Sequence, residues 1–182
     1  MQLRVTTGTA KNKKLEAPDI PGYRAVQEIA KSAVFSIIGD KIKDSLCLDL
    51  FAGSGNLGIE ALSRGASYCD FVDGESKSVD VIKNNLEKCG FTEKSAVYLK
   101  NAVKFAASTG RSYDFVFMDP FYNDTAQQHL LNLIRGILKD DGILFYFHST
   151  DENVEEMAEK AGMKITDSRT FGQSTFSIIK LS

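Results

Sequence analysis

The chain has 182 residues, 43% of them hydrophobic, with 24 acidic and 22 basic side chains and a formal charge of -2. That is enough apolar material for one sizeable core and one domain. The near-neutral balance excludes a chain that coats nucleic acid by bulk attraction, because such binding draws on many phosphate contacts. No apolar run approaches the roughly 20 residues that cross a bilayer, and residues 1–4 lack the apolar centre of a signal peptide, so a cytoplasmic protein is expected. Cys47, Cys69 and Cys89 are odd in number and widely spaced in apolar or helix-like segments. They read as small buried thiols rather than bridges or metal ligands.

Arg4, Lys11, Lys13 and Lys14 all precede the first acid, Glu16, so the N-terminal arm is locally cationic in an acidic chain. Residues 3–10 and the stretch around Leu15 read as two short strands about this basic turn, which is either a solvated hairpin tip or a phosphate contact. Pro18, Pro21 and Gly22 then mark a loop. Over residues 25–38, Val26, Ile29, Ala33 and Ile37 recur at helical spacing up to Gly39, predicting a helix that leads into the main domain. Residues 46–51 form a short apolar run ending in glycines, followed by Leu57, Ala61 and Leu62 on one helical face and a stop at Gly65. A second apolar run covers 68–73, and Val79, Ile82, Leu86 and Cys89 then recur at helical spacing before Gly90. The alternation continues with a strand at 96–99, a short helix at 103–107 and a strand at 115–118. Leu130, Ile134, Ile137 and Leu138 give the apolar stripe of a helix over 125–138, closed by Gly142, and residues 143–147 form another strand. Asp151 is the expected N-cap of a helix that buries Val154, Met157, Ala158 and Ala161 and ends at Gly162.

Continuous rather than alternating hydrophobicity in these strands indicates burial on both faces, as in parallel strands covered by helices. The expected class is a doubly wound α/β fold. The tail departs from the alternation: residues 163–171 and 174–181 are joined by Gly172-Gln173, too tightly for a crossover helix, so the two strands pair antiparallel. Residues 1–45 read as an N-terminal extension of basic hairpin, loop and helix, and residues 46–182 as the main domain.

Gly53-Ser54-Gly55-Asn56-Leu57-Gly58 fits G-x-G-x-x-G between a predicted strand and a predicted helix, and Asp73 ends the next strand. Glycines let backbone approach a ligand closely, and an acid at that strand end accepts from ribose hydroxyls. NAD satisfies this logic, and so do other ribose-bearing ligands. A NAD-dependent oxidoreductase is disfavoured because the residues after the loop hardly complete the sheet and leave no substrate domain. Asp49 and Phe51, just ahead of the glycines, put an acid and an aromatic where a small cationic group, sulfonium or ammonium, would be comfortable.

Asp119-Pro120-Phe121-Tyr122 follows the apolar run 113–118. A carboxylate beside a proline carbonyl supplies two acceptors for the hydrogens of an exocyclic amine, drawing the nitrogen lone pair out of conjugation with its ring. The aromatic that follows can stack on that ring. With the glycine loop, this points to methyl transfer onto a nucleobase nitrogen, with a protein amide or adenine as rival acceptors. His129 and His148 have no cysteine or acid at ligand spacing, so they read as surface or packing histidines and no metal is expected.

The run D-L-F-A-G-S-G-N-L-G-I-E-A-L-S-R-G-A at 49–66 closely resembles motif I of the bacterial methyltransferases that modify guanine in small-subunit (16S) ribosomal RNA at the exocyclic 2-amino group, the RsmD family. The resemblance extends from L-R-V-x-x-G-x-A-x-x-x-x-L-x-A-P at 3–18, through Ala33 and Phe35, Asp73 and D-P-F-Y, to the closing T-F-G-Q-S-T-F-S-I. It implies a Rossmann-like, seven-stranded methyltransferase fold, S-adenosylmethionine as donor, and ribosomal RNA or the 30S particle as acceptor and partner; a monomer is expected, though no residue pattern fixes the oligomeric state. It also implies roles. Gly53 and Gly55, with Asp49, Phe51 and Asn56 beside them, would line the donor site, Asp73 would hold its ribose, and Asn101 with Ala102 would meet its adenine. Asp119 and Pro120 would accept from the guanine amine, with Tyr122 stacked on the base and Phe121 beside it. Arg24, in a segment expected to cover the site, and Lys11, Lys13 and Lys14 on the arm would contact RNA. Three departures stand out. Phe121 replaces the family's second proline, Asn101 replaces an acid, and residues 24–29 keep only Arg24 and an acid of R-P-T-T-D-R. Phe121 and Asn101 keep a catalytically silent ribosome-assembly factor as an alternative to the methyltransferase reading.

Overall fold

The computed structural model describes residues 3–120, 126–172 and 174–182. Among these, seven strands make one sheet: β1 (Leu46–Leu50), β2 (Tyr68–Asp73), β3 (Ser95–Leu99), β4 (Tyr113–Met118), β5 (Leu138–Ser149), β6 (Met163–Phe171) and β7 (Ser174–Leu181). The order is β3-β2-β1-β4-β5-β7-β6. Pairing is parallel from β3 through β5, and β7 then lies antiparallel between β5 and β6. The short Gly172-Gln173 connection leaves the last two strands no other way to meet. The α/β class, the seven strands and the closing hairpin are those expected.

Helices α1 (Glu28–Ile38), α2 (Asn56–Ser63) and α3 (Ser76–Cys89) cover one face of the sheet, and α4 (Ala102–Ala106), α5 (Gln127–Ile137) and α6 (Val154–Lys160) cover the other. Side chains alternate between these layers: Cys47 packs with the first group, Leu48 and Leu50 with the second. This two-sided burial is why the central strands read as unbroken apolar runs. Cys47 and Cys69 are buried and unbridged, Cys89 is half-buried, and burial pushes the Cys47 thiol up to about 12. No helix among the described residues is long and apolar enough to cross a membrane.

Four local expectations are corrected. The N-terminal arm is an irregular hairpin closed by a single antiparallel bridge, Arg4 to Lys14, in place of two strands. Helix α1 starts at Glu28, leaving Val26 in the loop, and buries Ala30, Lys31, Val34, Phe35 and Ile38, whereas Ile29 is 61% exposed. Helix α5 ends at Ile137, and Leu138 opens β5 by pairing with Tyr113 across a register shift. The polar residues after it sit in that register shift, where Lys139 donates to the Asp114 side chain at 2.8 Å. Asn153, not Asp151, caps α6, its side chain accepting from Glu156 N.

Candidate active site

Strand order reverses between β1 and β4, the place where a doubly wound sheet leaves a crevice at its carboxyl ends. A cleft of about 790 Å³ lies there, within the range of small-molecule sites. Its floor comes from the ends of three adjacent strands. Asp49 lies in β1, Asp73 ends β2, and Asp119 follows β4, directly after the Leu50–Met118 pairing.

The turn after β1 is shaped by backbone. Phe51 (φ 58°), Gly53 (φ 56°) and Gly55 (φ 76°) adopt left-handed conformations, and Gly55 N donates to Ala52 O at 2.7 Å. Gly58 serves packing: a Cβ there would sit 2.3 Å from the Phe71 ring, so only glycine lets α2 approach β2 this closely. At Gly53 a Cβ would stand 2.6 Å from Cε2 of Tyr23. The carboxylates fix the turn. Asp49 accepts from Gly58 N at 2.8 Å, and Asp73 accepts from Gly53 N at 2.8 Å and Glu75 N at 2.9 Å.

Among the described residues no lysine or arginine forms an ion pair with Asp49, Asp73 or Asp119. Burial therefore dominates the protonation of Asp49 and Asp119. It pushes the Asp119 carboxyl up to about 7 although part of the residue faces the cleft. Burial also lifts Asp49 well above the usual carboxylate range, against the Gly58 N–H and with help from the charges of Asp119 and Asp73. The site is short of positive charge and would gain by receiving a cation.

A strap at residues 20–27 walls the cleft beside the glycine turn, and Arg24 and Tyr23 lie on it. The Tyr23 hydroxyl donates to Ser54 Oγ at 2.9 Å. Asn56, at the start of α2, donates to Val26 O at 3.4 Å and accepts from Lys31 Nζ at 2.8 Å. Behind it lies a buried knot. Lys31 pairs with the fully buried Glu60 at 3.1 Å and donates to Arg4 O at 2.7 Å. Glu60 also accepts from Thr6 N, Thr7 N, the Thr6 hydroxyl and Arg64 Nε. Burial pushes Glu60 up, but Lys31 leads the partners that outweigh it, and the net displacement is downward.

Of the residues singled out in the sequence, Asp49, Phe51, Gly53, Asn56, Asp73, Asp119, Pro120 and Arg24 share this cleft. Others stand apart. Asn101 spends its side-chain oxygen capping α4, accepting from Val103 N and Lys104 N, and Ala102 is packed in the core of the second face. Lys11, Lys13 and Lys14 are exposed on the arm, and Phe121 and Tyr122 lie outside the described residues. His148 is a packing histidine, its Nε2 2.8 Å from Ser177 Oγ. No group among the described residues is arranged to hold a metal. Tyr23 and the Lys31–Glu60 pair escaped sequence reasoning. A lone tyrosine in a proline loop and a lysine on an apolar helix face carry no motif.

The family model described as conserved hypothetical protein 95 matches residues 3–180. The chain belongs to this family. Ribosomal RNA small subunit methyltransferase D of Escherichia coli (strain K12) is 35% identical over 156 residues, covering 84% of this chain and 77% of that protein. The "Putative rRNA methyltransferase YlbH" of Bacillus subtilis (strain 168) is 34% identical over 183 residues, covering 98% of each. A solved structure, "Putative methyltransferase yhhF from Escherichia coli", covers the whole of both chains with a TM-score of 0.85 at 25% identity. The resemblance to the RsmD family drawn from the motifs therefore holds across nearly the whole chain. Membership in the conserved hypothetical protein 95 family, with relatives so named, also leaves the oxidoreductase reading without support.

Proposed function

We infer that the chain transfers a methyl group from S-adenosylmethionine to the exocyclic 2-amino group of a guanine in small-subunit ribosomal RNA. The observation that carries this reading is the cleft at the sheet's switch point, whose three carboxylates form no ion pair among the described residues, in a chain whose relatives are named rRNA methyltransferases. Bound there, S-adenosylmethionine supplies an electrophilic methyl carbon on a sulfonium. Its ribose hydroxyls suit Asp73, which ends β2 with both oxygens held by backbone amides. Asp49 lies under the turn, where its charge favours a cationic ligand.

A guanine amine is a poor nucleophile because its lone pair is delocalised, so orientation carries most of the catalysis. Asp119 and the Pro120 carbonyl are the acceptors for its two hydrogens, and they stabilise positive charge developing on nitrogen as an oxyanion hole does negative charge. Asp119 need not be a strong base, since the methylated nitrogen is acidic and sheds its proton afterwards. Residues 1–45 act as an extension that walls the cleft with the strap and offers Arg24, Lys11, Lys13 and Lys14 to RNA phosphates. Tyr122 is the residue that stacks on the base, with Phe121 beside it in the sequence. The deciding experiment maps label from the donor methyl onto small subunits isolated from a strain lacking the protein. Label on one guanine N2 is the expected result. Label on an adenine or on protein would overturn the acceptor, and no label on subunits or free RNA would favour a silent assembly factor.

A further inference from the structure

Tyr23 is held in place by four separate ties in the residues around it. Upstream, Asn85 of α3 clasps the backbone of Glu16 by accepting from its N and donating to its O, each at 2.9 Å, and Lys77 donates to Asp19 O. Downstream, Asn56 ties Val26. The ring itself is pinned at its hydroxyl by Ser54, which is fully buried and whose carbonyl accepts from Asn85 at 2.9 Å. Along its edge it rests on Gly53, where the space a side chain would need is taken by the ring. Gly53 thus makes room for a phenol as well as for a ligand. The result is a rigid aromatic wall in a cleft that also contains Asp49, Asp73 and Asp119. Burial pushes the Tyr23 hydroxyl above its ordinary pKa against the opposing hydrogen bonds with Ser54, and the charges of Asp119 and Asp49 add to that rise, so the phenol stays neutral.

An aromatic face fixed in an acid-lined pocket without an ion-paired lysine or arginine is suited to a soft, weakly hydrated cation. We propose that the Tyr23 ring is the aromatic wall of the donor pocket and attracts the sulfonium, so that the charged donor is held in preference to its neutral thioether product. The inference deepens the donor assignment above and rests on it. It assigns Tyr23 a ligand contact and a consequence for turnover: once the methyl leaves, the positive charge leaves with it and the wall's attraction ceases, which favours product release.

Calorimetry without RNA tests this directly, titrating S-adenosylmethionine and S-adenosylhomocysteine into the parent chain, Tyr23→Phe and Tyr23→Leu. Tyr23→Leu keeps an apolar wall without a π-face, and its affinity for the charged donor should fall about tenfold while affinity for the thioether stays within about twofold. Tyr23→Phe keeps the ring and should keep the ratio of the two affinities. Equal weakening of both ligands in Tyr23→Leu, or no change in either, overturns the proposal while leaving the donor assignment standing. A parent chain that binds neither ligand overturns both. Should Tyr23→Leu melt early, fluorinated phenylalanines at position 23 carry the test. Donor affinity should decline with each fluorine at constant thioether affinity, and a flat series overturns the proposal.

Discussion

Helix α2 separates two groups of buried or half-buried charge that the chain treats in opposite ways. On the side of the N-terminal arm, Glu60 is fully buried yet ringed by Lys31, Arg64 and two threonines. On the side of the cleft, Asp49, Asp73 and Asp119 receive backbone donors at most and no ion pair among the described residues. A buried carboxylate that has its own cation is a structural element, closed to further partners. One that is denied a cation is held at a cost in stability, and the cost is recovered when a positive ligand arrives. The contrast distinguishes scaffold from site without reference to any motif.

The largest expected effect tests the closed group. Lys31→Met removes the charge while retaining length, leaving Glu60 with Arg64 as its remaining ion-pair partner in a buried position. Breaking one partner of such a pair costs about 3–5 kcal/mol, so the denaturant midpoint should fall sharply. A midpoint close to the parent's would mean that Glu60 takes up a proton at little cost and that the two groups are not different in kind. Next comes the open group. Asp119→Ala should lower methyl transfer to small subunits by at least about 10²- to 10³-fold, by analogy with the loss of one oxyanion donor. Affinity for S-adenosylhomocysteine should be nearly unchanged. A variant that retains turnover removes Asp119 from the chemistry. Lys11, Lys13 and Lys14 are fully outside both groups, and replacing all three by alanine should reduce the salt slope of RNA association by about 2 to 3. An unchanged slope takes the arm out of the RNA interface.

Much of this was legible in the chain itself, and the exceptions share a cause. The parallel strands announced themselves because burial on both faces leaves apolar runs, and the hairpin because its linker is too short for a helix. Helix α1 was misread by one residue in rotation: hydropathy places the apolar stripe on Ile29 and cannot see that Lys31 is the buried neighbour, since an internal ion pair looks like surface until its partner is located. The same blindness hid the start of β5, where the Lys139–Asp114 pair accompanies polar residues across a register shift. In the cleft, Asp49, Asp73 and Asp119 were visible from spacing because each sits at a fixed place relative to a strand end. Tyr23 was not, for its position depends on the missing side chain at Gly53, thirty residues away. Asn101 is expected at the donor's adenine on the family resemblance, and in the structure its side-chain oxygen caps α4, a role that propensity also allows.

The smallest effect gives the sharpest test of the comparison, because its sign depends on pH. The folded Asp119 carboxyl titrates at about 7, raised by burial, while an unfolded aspartate titrates near about 3.9. Between these values the folded protein binds the proton and the unfolded chain does not, so stability falls as pH rises through that window and is lowest above about 7. Asp119→Asn abolishes this titration. The variant should be more stable than the parent at about pH 8, by on the order of 1 kcal/mol once the carboxyl's partial contact with water is allowed for, and should show little gain at about pH 5. Activity should run the other way in the parent, with kcat/KM falling about tenfold per unit below about 7 as the acceptor is lost to protonation. Thermal melts at the two pH values, with Glu60→Gln as companion, then separate the groups. Glu60→Gln should lose stability at both pH values, because its partners hold the parent carboxyl below its ordinary range and it is ionised in either melt. If Asp119→Asn is instead destabilised at about pH 8, the carboxylate already has a favourable partner in the folded protein and the cleft does not await a cation.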